Sequence, residues 1–152
     1  RGIALLTGME IVDVPRSTGH LDVDYPVWAK IAMDALNRFD CLYVHIKGPD
    51  EPGHDGNCMD KKAVIEAIDA HYFGNLIPHL NLDDYIICVT SDLCTVCEMK
   101  AHSALPVPVL ISGGSIKPDG SMSFSEKTAK LGSLGEVRAR EILPLLVKHA
   151  SA

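Results

Sequence analysis

Apolar positions along this chain fall into short runs and helical stripes, separated by segments rich in turn residues. "EIVDVP" (10–15) reads as a short strand ended by Pro15, and "RSTGHLDVDY" (16–25) as loop. Pro26 suits the first turn of a helix, after which Trp28, Ile31, Ala32, Ala35, Leu36 and Phe39 recur at helical spacing. "CLYVHIK" (41–47) alternates as a strand does, with Leu42, Val44 and Ile46 on one face and Tyr43, His45 and Lys47 on the other. Asp60 can cap a helix over 61–77 that buries Val64, Ile65, Ile68 and Tyr72, with Pro78 and "NLDD" ending it. "YIICVTS" (85–91) is nearly continuous in apolar character, as in a strand covered on both faces. A polar loop containing "CEMKAHS" leads to a further strand, "PVPVLIS" (106–112). "GGSIKPDGS" is turn material, and a last helix over 134–149 carries Val137, Ile142, Leu145 and Leu146.

Strands alternating with helices predict an α/β fold with a mainly parallel sheet flanked by helices. At 152 residues the chain has one domain's worth of sequence, 1–152. About four strands make a small sheet for this class, so half of a larger domain is as compatible as a whole one. The chain opens at Arg1 rather than methionine, which leads us to expect a fragment or a processed product.

Composition narrows the function. With 47% hydrophobic and 22% charged residues the chain is globular, and no apolar run approaches the roughly 20 residues of a membrane span. A net charge of −6 argues against a nucleic-acid binder, which needs a basic face. The same charge suits an anionic small molecule only where a metal or local cations offset the repulsion. Cys41 and Cys88 lie in strand-like runs and read as small core residues. An odd total of five cysteines without a secretory signal predicts reduced thiols and a cytoplasmic setting. Cys94 and Cys97 form a lone C-x-x-C, which reads first as two ordinary thiols, then as a redox pair or half a zinc site.

The candidate chemistry sits where strands are expected to end. In open α/β sheets the functional crevice lies beyond the carboxyl ends of the strands. Asp50 and His54 follow 41–47, Asp92 follows 85–91, and His102 lies in the loop leading on from Asp92. Carboxylate plus imidazole without thiolate suits Mn²⁺ or Zn²⁺. Asp50 and His54 are close enough in sequence to grip one ion, and Gly53 and Gly56 allow a tight turn around it. The alternative leaves Asp50, Glu51 and Asp55 as solvated loop acids and His54 as a surface histidine. Lys47 reads as a solvated strand end or an anchor for an anionic substrate. Asp55 reads as a turn cap or an orienting partner for a ligand histidine. His45 is expected to be a satisfied core histidine.

Two stretches carry a family resemblance. "YVHIKGPDEPGHDG" and "VTSDLCTVCEMKAHSALPVPVLISGG" resemble the C-terminal part of the archaeal-type cofactor-independent phosphoglycerate mutases, in the alkaline phosphatase superfamily. "DVPRSTGHLDVDY" and "FSEKTAKLGSLG" are similar to the same group, whose names include "phosphonopyruvate decarboxylase-related". The resemblance implies an enzyme that interconverts 3-phosphoglycerate and 2-phosphoglycerate through a phosphoserine, with two divalent ions. It implies that Asp50, His54 and His102 hold one ion and that Asp92 contributes to the other. It also implies an N-terminal segment of the same protein, not in this chain, that carries the serine nucleophile and a second aspartate. The chain departs from the pattern at Leu93, where the family has a histidine; Cys94, next in line, is a candidate substitute acceptable to Zn²⁺. The departure leaves open a degenerate, non-catalytic relative serving as a binding or regulatory module. Hydrolysis of another phosphate or phosphonate ester is open as well. A sheet edge left unpaired by the missing segment would favour self-association into a homo-oligomer.

Overall fold

The structure, a computed structural model, describes residues 2–15 and 23–150. The expected loop at 16–25 therefore lies mostly outside the described residues. The chain divides into two compact units, Arg1–His79 and Leu80–Ala152.

The first unit is helical. It comprises α1 (Gly2–Leu6), α2 (Tyr25–Leu36), α3 (Asp50–Asp55), α4 (Cys58–Ala67), a π-helical turn (Ile68–Phe73), α5 (Gly74–Leu76) and a closing 3₁₀ turn (Ile77–His79). The Asp24 carboxylate caps α2 by accepting from the Val27 backbone N–H at 3.3 Å, with Pro26 in the first turn as expected. The buried face of α2 is Tyr25, Trp28, Ala29, Ala32 and Ala35. Three alanines let it approach the π turn and α5 closely, where Tyr72 and Leu76 are buried, with Val64 of α4 completing this core. The Trp28 indole N–H donates to the Pro15 carbonyl at 2.9 Å, which satisfies its polar end and ties 15 to the helix.

The cap of α4 differs from the sequence expectation. Asn57, not Asp60, is the cap: its side-chain oxygen accepts the Asp60 N–H at 3.1 Å, and its amide donates to the Asp60 carboxylate at 2.7 Å. The inward stripe runs through buried Val64, Tyr72 and Leu76 with Ile68 half-buried between them, and Ile65 turns outward at 49% exposure.

The second unit holds the strands. β1 (Ile86–Thr90) pairs with β4 (Val109–Gly113), and β2 (Cys94–Val96) pairs with β3 (Ala101–Ser103). The α/β class holds, but the expected parallel sheet is not what pairs: both ladders among the described residues are antiparallel. The reason is local. The segment between β1 and β4 folds back on itself as the β2–β3 hairpin, so the chain returns alongside β1 in the opposite direction and no crossover helix intervenes. The segments 10–15 and 41–47 carry no ladder partner among the described residues and are not strands, although alternation is present in 41–47. Tyr43 is 74% exposed there, and His45 is exposed rather than a core histidine. α6 (Glu126–Ala129) and α7 (Ala139–Ala150) complete the unit, with α7 against β1 and starting later than the pattern predicts. Asp119 accepts from the Ser133 N–H at 2.8 Å and the Ser121 N–H at 3.0 Å, bonds that hold its carboxyl down at about 2 and staple two turns together. No helix among the described residues is long and apolar enough to cross a membrane.

Two features set stability expectations. Gly113 has φ +107°, and a Cβ there would collide with the Tyr85 carbonyl oxygen and approach the Leu82 carbonyl oxygen to 3.0 Å. Gly113→Ala is expected to cost about 2 kcal/mol or more. Gly120→Ala, at φ +82° but facing open space, is expected to cost only about 1 kcal/mol. Urea midpoints compare them, and equal losses would refute the collision. Burial pushes the Tyr72 hydroxyl up to about 12 from an ordinary 10. A raised folded-state value keeps its stability contribution whole below pH 10 and loses it as pH rises toward 12. Tyr72→Phe should therefore retain on the order of 2–3 kcal/mol that wild type loses across that window in urea unfolding. Tyr25 and Cys88, also raised by burial, leave a residual slope.

Candidate metal centre

The turn-rich stretch "KGPDEPGHDG" folds as one helical turn rather than an open loop. Asp50 donates its N–H to the Lys47 carbonyl at 3.0 Å, which starts the turn. Pro52 is tolerated in the first turn, where an N–H has no intrahelical acceptor. Gly56 ends α3 in the left-handed region at φ 75°, giving its N–H to Gly53 and Pro52. Positions four apart in this turn share a face. Asp50 Oδ1 and His54 Nε2 accordingly stand 3.5 Å apart. That is long for a hydrogen bond. It matches the donor-to-donor spacing of about 3.4 Å that two ligands of one tetrahedral zinc ion would have. Lys47 Nζ lies 3.9 Å from the other Asp50 oxygen. Asp55, expected as a turn cap or an orienting partner for a histidine, is exposed.

His102 sits in β3, directly across from Thr95 of β2. Cross-strand partners project from the same face, and the Thr95 hydroxyl lies 3.2 Å from His102 Nδ1. Thr95 is buried, at 5% exposure. Sequence reasoning missed it because it took 92–105 for polar loop. The usable signal was the short "CTV" run, set against "AHS" across a turn of about four residues.

Cys94 pairs with Ser103, one register step from His102, and so projects from the opposite face of the hairpin. It cannot substitute for the missing histidine on His102's side. Cys97 opens the turn, one residue beyond a strand that rises about 3.3 Å per residue. This puts the C-x-x-C at or past the far end of disulfide reach, and both thiols are free.

Asp50 and His54 on α3, and His102 on the β2–β3 hairpin, each offer one atom of a kind that can ligate a metal ion. Carboxylate and imidazole are donor types suited to a divalent metal cation. Asp92 is exposed and outside that group, and Leu93 beside it is half-buried.

The comparisons with known proteins agree with this chemistry. The family model of the Metalloenzyme superfamily matches residues 3–149. A Thermococcus gammatolerans protein named 2,3-bisphosphoglycerate-independent phosphoglycerate mutase is 36% identical over 97% of this chain and 36% of its own length. A Methanoculleus marisnigri protein of the same name is 38% identical over 96% of this chain and 34% of its own. A solved structure from Pyrococcus horikoshii superposes with a TM-score of 0.95 at 32% identity, covering 99% of this chain and 39% of that one. The chain thus spans little more than a third of the relatives it matches. On the match over nearly its whole length, the chain belongs to the Metalloenzyme superfamily.

Proposed function

We propose that the chain is the C-terminal, metal-binding portion of a phosphoglycerate mutase-like enzyme, a partial α/β domain spanning 1–152. The reaction interconverts 3-phosphoglycerate and 2-phosphoglycerate through a phosphoserine whose serine lies outside this chain. The observation that carries the reading is the Asp50–His54 donor pair, 3.5 Å apart on one helical turn, in a member of a metalloenzyme family; His102 is the third ligand we propose. The relatives' shared name supports the reaction, and their greater length supports a segment beyond this chain. Five cysteines with no disulfide among them support a reducing, cytoplasmic setting.

Asp50 supplies the site's charge, and His54 and His102 bind as neutral imidazoles, together holding one divalent ion, Mn²⁺ or Zn²⁺. Asp92 supplies one carboxylate toward a second. Ions so held stabilise the charge on a transferring phosphoryl group. Lys47, with its ammonium 3.9 Å from Asp50, tempers the negative field that a phosphorylated substrate meets.

Leu93 favours a second reading. Its half-buried side chain offers no donor beside Asp92, which would leave the second ion under-coordinated and the parent protein a binding or regulatory module.

Calorimetric titration with Mn²⁺ is expected to show one strong site that Asp50→Ala or His54→Ala weakens by more than about 100-fold, beyond the loss typical of an outer-sphere partner. Equal binding by wild type and variants would sink the metal site. The full-length parent should convert 3-phosphoglycerate to 2-phosphoglycerate at ordinary enzymatic rates. No turnover in the parent, with activity appearing on Leu93→His, would establish the regulatory reading instead.

A further inference from the structure

We propose that Thr95 is a positioning residue that selects the tautomer of His102 and so makes its Nε2 the metal-binding atom. This rests on the reading of His102 as a ligand.

Thr95 and His102 are register partners on one face of the β2–β3 hairpin, with Thr95 Oγ1 3.2 Å from His102 Nδ1. A neutral imidazole carries one proton, on either nitrogen. With the proton on Nδ1, the ring donates to Oγ1 and Nε2 keeps its lone pair for a cation. With the proton on Nε2, Oγ1 donates to Nδ1 and Nε2 has no lone pair to give a cation. Only the first arrangement serves a metal site. Metal-bound histidines commonly fix their orientation by donating the other N–H to an oxygen, and losing that oxygen costs about 10–100-fold in affinity.

Two features suit Thr95 to the role. At 5% exposure its hydroxyl is shielded from competing water. Its branched Cβ, in a strand, limits the side chain to few rotamers, so the oxygen stays fixed. The turn that sets the pairing is specific too: Lys100, the one non-glycine residue at positive φ among those described, sits at 52° just before β3. The Met99 N–H closes on the Val96 carbonyl at 3.1 Å, fixing the register that puts Thr95 opposite His102.

Thr95→Val keeps the shape and removes the oxygen, while Thr95→Ser restores it. Nitrogen-15 spectra of the metal-free protein should show the His102 proton on Nδ1 in wild type and Thr95→Ser, with Thr95→Val moving toward the Nε2–H form. Mn²⁺ titration should show affinity about 10–100-fold lower in Thr95→Val and restored in Thr95→Ser. An Nε2–H ring in wild type overturns the inference. So does a Thr95→Val protein that binds Mn²⁺ as wild type does while His102→Ala binds it poorly. If His102→Ala itself binds Mn²⁺ normally, the ligand reading of His102 fails instead, and this inference falls with it.

Discussion

A carboxylate and an imidazole four residues apart face the same way only while the backbone between them stays helical. Everything proposed for Asp50 and His54 depends on that one turn. A six-residue helix has no stability of its own, since nucleation costs more than one or two hydrogen bonds return. What holds α3 is its two ends. Asp50 reaches back to the Lys47 carbonyl at one end, and Gly56 closes on Gly53 and Pro52 at the other. Gly56 adopts φ 75°, a region that a side chain would disfavour. The glycines and prolines that make the stretch look like loop are thus what terminate a helix just long enough to present Asp50 and His54 on one face.

The hairpin solves a related problem in the second unit by other means. A histidine on a three-residue strand has little packing to hold its ring, and its register partner supplies a fixed oxygen instead. Register does the sorting here. One step along the ladder exchanges the Thr95–His102 face for the Cys94–Ser103 face. That is why Cys94, adjacent in sequence to the missing ligand position, does not help on His102's side.

The sequence pattern made α2, β1 and β4 legible, because Pro26, the Trp28–Ala35 spacing and two apolar runs are strong local signals. Asp50, His54 and His102 were legible as candidate donors through their chemistry and family resemblance, and within α3 the structure brings Asp50 and His54 onto one face. Pairing was not legible. Alternation in "CLYVHIK" says which residues share a face, but no local signal supplies a ladder partner, and Tyr43 at 74% exposure has none of the cover a sheet would give. The sense of the β1–β4 ladder depends on how the intervening residues turn, and the "CTV…AHS" hairpin is too short to stand out from loop. The Asn57 cap was hidden by Asp60, an equally good capping residue three positions on that instead serves as the reciprocal partner.

Lys47 raises the question of whether its ammonium would exclude a cation from Asp50. Energetics argue that it would not. The pair is 3.9 Å apart, with the lysine side chain 59% exposed. An exposed pair of that kind is worth between zero and about 1 kcal/mol once screening and side-chain entropy are counted. A divalent ion would bring twice the charge to Asp50, against a flexible ammonium that solvates readily in water. Lys47 should therefore yield Asp50 to the metal at little cost, and its four-carbon stem leaves the ammonium free to reach an anionic oxygen. The lysine and the carboxylate thus form an interaction weak enough to be exchanged, which a fully buried pair could not do without leaving a stranded charge.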